Sequence, residues 1–256
     1  MMKSTAGHRV LGAFINTLTW DDAIAGIHKW ASVRESRYVC ICNVHSVVTA
    51  RFNRHFSRVI ENADMATPDG APVAWMLRRL GVPKQERING PDLMLRYCRF
   101  AAEAGESIFL YGGRSETLQL LEQRLKRDFP SLKIAGMVSP PFRTLSVEED
   151  QEIVDKINAS GASTVWVSLG CPKQEQWMAE HRDRILAVMI GVGAAFDFHA
   201  GTLARAPGWM QRNGFEWLHR LCNDPARLWK RYLVTNTLFI GLAAVQLLRG
   251  IVSRHS

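Results

Sequence analysis

Residues 107–138 read SIFLYGGRSETLQLLEQRLKRDFPSLKIAGMV. The run 107–111 is short, apolar and bounded by Gly112-Gly113-Arg114, the signature of a buried strand. From Glu116 to Phe129 apolar residues recur at helical spacing, with Ser115 placed to cap them, and 132–138 is a second strand. The alternation continues. A capping box, Ser146-x-x-Glu149, opens a helix over 147–159. A strand follows at 164–169, a helix starts near Lys173, and the last strand is 187–192. Strands alternating with single helices predict an α/β, Rossmann-like, mostly parallel sheet with helices on both faces. Ligands of such sheets sit beyond the carboxyl ends of the strands. The loops expected there are NVHS, TPDG, YGGRS, LGCPKQE and GVGAAFDF.

Working outward, residues 9–20 suggest a short strand pair or a strand and turn, and Thr19 is a candidate cap for the helix that follows. A strand is expected at 38–42 and helical spacing runs from 45 to 60. A brief strand at 65–67 ends in the Pro68-Asp69-Gly70 turn, before helices near 71–80 and 91–104. After Ala200 the strand pattern stops. Arg205, Arg212, Arg220, Arg227, Lys230 and Arg231 interleave with Trp209, Trp217, Trp229 and Tyr232, and Asp224-Pro225 marks a helix restart. The division expected is an α/β domain over 1–200 and a helical, basic and aromatic appendage over 201–256.

The 256 residues are 47% hydrophobic and 22% charged, as in ordinary globular chains. A net charge of +8 and a pI near 9.5 call for an anionic partner: nucleic acid, an anionic membrane surface or a phosphorylated small molecule. Five cysteines without repeated spacing, two of them in the apolar run at Cys40 and Cys42, suggest buried thiols. MMKSTAGHRV lacks the apolar core of a signal peptide, so a cytoplasmic location is expected. No close D-x-D pair stands in a strand-end loop and no His/Cys cluster has zinc spacing, so neither a metal nor a cofactor is expected.

Asp69 has two readings. It can cap the helix after Gly70, or it can accept a hydroxyl proton at the mouth of the sheet. Arg87, in Glu86-Arg87-Ile88-Asn89-Gly90, is a solvated loop charge or an anion contact near a helix start. Gly112 and Gly113 could let backbone amides approach a phosphate. Lys173 and Gln174, after Cys171-Pro172, offer a cation and an amide for a sugar or base. Asp197, between Phe196 and Phe198, invites a bonded partner such as a ribose hydroxyl. Gly193 lies in a run that lacks the third glycine of a dinucleotide fingerprint, because Phe196 stands there.

Eight segments in order carry a family resemblance. They are Asn43, Thr67-Pro68-Asp69-Gly70, residues 86–93, Leu110-Tyr111-Gly112-Gly113, residues 170–175, residues 191–197, Arg205-Ala206-Pro207 and residues 216–221. The chain resembles the TagA/WecG/CpsF glycosyltransferases, also called glycosyltransferase family 26. The resemblance implies inverting, metal-independent transfer from a UDP-sugar to a polyprenyl-diphosphate-linked glycan in cell-surface polysaccharide synthesis. It implies Asp69 as base. It makes Arg87, Gln174, Asn43 and Asn89 substrate contacts, and Gly112, Gly113, Gly193 and Asp197 nucleotide contacts. It also implies an appendage that docks on the membrane and completes the site with arginines, matched here by Arg220, Arg227 and Arg231. Where the family often has Thr, two residues before Asn43, this chain has Ile41, so no hydroxyl is offered there.

Residues 233–248 are short for a membrane span of ~20 residues, and the basic and aromatic residues before them suit an interfacial helix on anionic lipid. A peripheral place on the cytoplasmic face of the plasma membrane is the expectation. Two other classes stay open: a soluble nucleotide-binding oxidoreductase, and a nucleic-acid-binding module, although the charge fits lipid and diphosphate better than nucleic acid.

Overall fold

The computed structural model describes residues 6–252; residues 1–5 and 253–256, and the side chains of Arg227, Ile251 and Val252, lie outside the described residues. Part of the segment read for a signal peptide therefore falls outside, as does the side chain of Arg227. In chain order the elements begin with β1 (Gly7–Val10), β2 (Ala13–Asn16), α1 (Trp20–Ala31), β3 (Arg37–Cys42), α2 (Val44–Phe52) and α3 (Arg54–Asn62). Next come β4 (Met65–Pro68), α4 (Ala71–Arg79), α5 (Gly90–Ala104), β5 (Ser107–Gly112), α6 (Ser115–Asp128) and β6 (Lys133–Val138). The chain continues through α7 (Val147–Ala159), β7 (Thr164–Ser168), α8 (Lys173–Glu180), β8 (Val188–Gly191) and α9 (Ala195–Ala200). It closes with α10 (Gly208–Arg212), α11 (Glu216–Asn223) and α12 (Pro225–Val252).

Six strands form one sheet in the order β4-β3-β8-β7-β5-β6, and β1 pairs with β2 separately. The pairs β3–β8, β8–β7, β7–β5 and β5–β6 are all parallel, the Rossmann-like arrangement that the alternation predicts. The strands β4, β7 and β8 are buried along nearly their whole length, as expected of strands covered by helices. By internal contacts the chain forms two compact units. One takes the residues up to Thr19, Ile41–Asn89 and those from Arg205 on; the other takes Trp20–Cys40 and Gly90–Ala204.

In the second unit the core is aromatic. Trp166, Tyr97, Tyr111, Phe109 and Phe196 are buried, and the polar edges of Trp166 and Tyr97 are satisfied locally. Trp166 Nε1 donates to Thr164 Oγ1 two residues back on β7, and Tyr97 Oη donates to Glu106 Oε2 at 2.5 Å. Glu106 Oε1 also meets His28 Nδ1 at 2.6 Å, which ties α1 to the end of α5. Such pairing is what allows a carboxylate to sit in a core. Cys40, Cys42 and Cys98 are buried thiols outside any disulfide, as the sequence suggests for the first two.

Two local expectations are corrected. The helical spacing over 45–60 is two helices, not one. Asn53 adopts an extended conformation (φ −120°, ψ 105°), gives its own N–H to Thr49 O and accepts the Phe56 N–H on its side chain. One residue thus closes α2 and caps α3, and the local bond outcompetes continuation of the helix. Ser115 is already helical, and the cap position falls on Arg114, which makes no side-chain cap bond. The paired left-handed glycines, Gly112 (φ 109°) and Gly113 (φ 71°), bring the chain into helical geometry one residue early. Elsewhere Ser146 and Glu149 form the predicted capping box.

In the first unit, β1 and β2 are joined through Leu11 (φ 52°) and Gly12 (φ 100°), a two-residue turn of the kind hairpins favour. Asn16 Oδ1 accepts the Ala66 N–H at 2.7 Å and fastens β2 to β4. The long helix α12 buries Leu228, Thr235, Phe239 and Ala243 on one side and exposes Trp229, Leu233, Val234, Ile240 and Leu248. Near its far end Gln246 meets the hairpin turn. Its Nε2 donates to Arg9 O at 2.6 Å and its Oε1 accepts from Leu11 N at 2.9 Å. One side chain thereby satisfies two backbone groups, as a pairing strand would. Replacing Gln246 with Ala should cost about 1–2 kcal/mol by orphaning both. Urea unfolding gives the loss, and faster amide exchange at Leu11 should locate it.

Candidate functional site

The first unit presents a cluster around Arg87. The end of β4 sets it up. Thr67 Oγ1 donates to Ile88 O at 3.1 Å, and Ile88 N donates to Pro68 O at 3.0 Å. These bonds zip the 86–89 loop to the strand end and bring Arg87 beside Asp69. Arg87 Nε lies 3.2 Å from Asp69 Oδ1, and its Nη2 lies 2.7 Å from Glu216 Oε2 on α11. One fixed cation is held between two carboxylates from distant parts of the chain. The three side chains keep 20%, 17% and 16% of their surface exposed, so the cluster is partly buried but reachable.

Asp69 does not cap the following helix. The cap position is Gly70, which makes no side-chain bond, and its φ of 80° suits glycine. The Asp69 carboxylate instead accepts the Gly70 N–H at 2.6 Å. That bond and the Arg87 bond both fall on Oδ1, leaving Oδ2 without a partner among the described residues. Burial pushes the Asp69 carboxyl above the usual carboxylate range; Arg87 pulls it down and Glu216 pushes it up again. Burial works against the Arg87 charge, but the carboxylates of Asp69 and Glu216 more than restore it, so its pKa rises.

Asn43 stands at the same mouth: a Cβ placed on Gly70 would lie 3.9 Å from its Cβ. Its Oδ1 caps α2 by accepting from Ser46 N, while its Nδ2 finds no partner among the described residues. Asn89 is buried and its Oδ1 meets Arg205 Nη2 at 3.4 Å. Arg220 lies one turn beyond Glu216 on α11. The Arg231 Nε is buried without a hydrogen-bond partner among the described residues, and its guanidinium sits over the Tyr232 ring. Glu216 is the member that the sequence reading leaves out of the site. The signal available was a carboxylate opening a helix just after the Gly214 turn; a Cβ at Gly214 would lie 3.0 Å from the Ala71 Cβ, so this turn packs against the start of α4.

The second unit presents the glycine turns at the ends of β5, β7 and β8. A Cβ on Gly112 would lie 2.4 Å from Ser168 O, so no other residue fits there. The Gly113 N–H donates to Ser168 O at 3.1 Å, so this amide is occupied inside the protein and is not offered to a phosphate. Ser168 Oγ reaches the other way, to Gly193 O at 2.7 Å. Gln174 is buried. Its Oε1 accepts the Gly193 N–H and its Nε2 donates to Glu175 Oε1, so its amide braces the β8 turn. Glu175 is buried too, its Oε2 has no hydrogen-bond partner among the described residues, and burial pushes its carboxyl up. Asp197 Oδ1 is met by Thr202 Oγ1 at 3.2 Å and Thr117 Oγ1 at 3.4 Å. His199 Nε2 contacts Pro91 O at 2.9 Å, a structural position. What remains outward is Lys173, exposed at the start of α8, and the amino end of α6, which has no side-chain cap.

The parallel sheet carries glycine turns at its strand ends and an acid–arginine cluster at the end of β4, the positions at which enzymes of this architecture hold their ligands. The model of the WecG/TagA/CpsF glycosyl transferase family matches residues 8–252, and the chain belongs to that family. Among its relatives is a protein of Bacillus spizizenii (strain ATCC 23059 / NRRL B-14472 / W23) named N-acetylglucosaminyldiphosphoundecaprenol N-acetyl-beta-D-mannosaminyltransferase. It is 34% identical over 197 residues, covering 77% of this chain and 74% of the relative. A Bacillus subtilis (strain 168) protein of the same name is 32% identical over 182 residues, covering 71% of this chain and 69% of the relative.

The raised Asp69 pKa has a consequence for stability. The folded state holds this proton longer than the unfolded chain, so the contribution is fully present below the unfolded value of roughly 4 and is lost as pH rises through the folded value. Asp69→Asn removes that loss. Its melting temperature relative to the parent should therefore rise as the pH is raised above about 4. A difference moving the other way would mean that the Arg87 pairing outweighs burial.

Proposed function

We propose that this glycosyltransferase moves a sugar from a UDP-sugar to a glycan carried on a polyprenyl diphosphate, at the cytoplasmic face of the plasma membrane, for cell-surface polysaccharide. The two relatives' names, with their diphosphoundecaprenol acceptor, support the acceptor class. The observation that carries the mechanism is the free Oδ2 of a partly exposed Asp69 whose Oδ1 is fixed by Arg87 and Gly70.

In this reading an acceptor hydroxyl attacks the anomeric carbon as the bond to UDP breaks. Asp69 Oδ2 takes the hydroxyl proton, and UDP leaves with the bonding pair. A single displacement inverts the anomeric centre. A pKa above the usual carboxylate range makes the Asp69 carboxylate a better proton acceptor. Arg87 holds the carboxylate in place and keeps its own charge. No metal ion is invoked for the departing diphosphate; Lys173 and the uncapped amino end of α6, taken by themselves, have the chemistry to hold a phosphate. Asn43 offers its free Nδ2 to the substrate. Arg220, Arg227 and Arg231 meet the acceptor diphosphate, and the 201–256 appendage brings the enzyme to the membrane surface.

Asp69→Asn should leave UDP binding near the parent level and lower transfer by roughly a hundredfold or more. Release of UDP, assayed with a short-chain diphospholipid sugar acceptor across a donor panel, measures it; unchanged turnover removes Asp69 from the mechanism. The acid limb of kcat/KM should lie above the ordinary carboxylate range. Glu216→Gln, by removing a neighbouring negative charge, should shift that limb to lower pH.

A further inference from the structure

The two compact units divide the charge unequally. The unit made of residues up to Thr19, Ile41–Asn89 and those from Arg205 on holds 17 Lys and Arg against 6 Asp and Glu; the other holds 15 against 18. The whole positive excess of the chain belongs to the first. The Arg87 cluster does not account for it, since there one cation faces two acids.

Part of the excess gathers at the elbow between α2 and α3. Arg51, Phe52, Arg54, His55 and Arg58 are all exposed, with Phe52 at 64%. Arg51, Arg54 and Arg58 make no ion pair among the described residues, and the first turn of α3 carries no acid. A single exposed Phe is unremarkable by itself. Here it projects from a braced corner, not a loose loop. Asn53 closes one helix and caps the next, while Phe56 and Val59 bury the inner face of α3. The same unit packs α2 against α12, whose outer side exposes Trp229, Leu233, Val234, Ile240 and Leu248. A ring ringed by unpaired guanidiniums suits one environment well: the boundary of an anionic bilayer, where the ring enters the headgroup layer and the cations meet phosphodiesters.

We propose that the α2–α3 elbow is a contact for anionic phospholipid, separate from the C-terminal appendage. It rests on the membrane reading above and adds a second point of attachment. With two points the enzyme is fixed in orientation on the surface as well as bound to it.

The test is co-sedimentation of the full chain with vesicles of phosphatidylglycerol and phosphatidylcholine, set against phosphatidylcholine alone. Arg51→Glu/Arg54→Glu/Arg58→Glu should weaken partition to the anionic vesicles by roughly a hundredfold, since each basic group near such a surface is worth about fivefold. Phe52→Ala, at an exposed position that folding does not need, should weaken it by several-fold. A charge-matched control in the other unit, Arg99→Glu/Lys133→Glu/Lys156→Glu, should bind like the parent. Equal binding by the elbow variants and the parent overturns the elbow alone, and so does an equal loss in the control. If the parent fails to bind anionic vesicles at all, the membrane reading falls and takes this inference with it. If vesicles fail while the elbow cations are needed to hold a single-stranded RNA, the surface serves nucleic acid and the inference is overturned.

Discussion

Arg87 lies between two carboxylates that come from opposite ends of the sequence, and one cation must serve both. The geometry is costly to assemble. Each charge loses water on entering the cluster, and only close, bonded contacts recover that loss. The loop carrying Arg87 is therefore tied to the end of β4 through backbone and hydroxyl bonds to Ile88, which leaves its guanidinium little freedom. With two acids and one base the cluster carries a net negative charge. That surplus, together with burial, raises the Asp69 pKa and gives its unpaired oxygen an affinity for a proton. An acid in a fully matched pair would be a poorer acceptor.

The glycine turns of the second unit follow a different logic. Most of their polar groups are turned inward. The Gly113 amide, the Gln174 side chain and Asp197 all find partners within the protein. Groups that look like ligand contacts in the sequence serve here to hold the shape of the turns. The groups left outward are a lysine and the uncapped end of a helix, both suited to phosphate.

How much of this was legible in the sequence depended on the range of the interaction. Strand and helix order followed from apolar periodicity, and the Ser146–Glu149 box from spacing alone, because both are local. The break at Asn53 is not legible although its cause is also local: a capping asparagine within a helical period gives no sign of which conformation will prevail. Asp69 and Arg87 could be named from their loops. Glu216 could not, because it is 129 residues from Arg87 and nothing in its own neighbourhood indicates the partner. Gln174 looks like a ligand contact in the sequence for a similar reason, since an amide's partner on a distant turn leaves no trace in a one-dimensional pattern.

Ser168 touches two turns at once: its carbonyl leaves no room for a side chain at position 112, and its hydroxyl anchors the backbone at position 193. These three positions, far apart along the chain, form one mechanical joint. Exchange at any of them alone would deform the other two, so they should be free to vary only in concert, and the strand ends they join should resist piecemeal redesign.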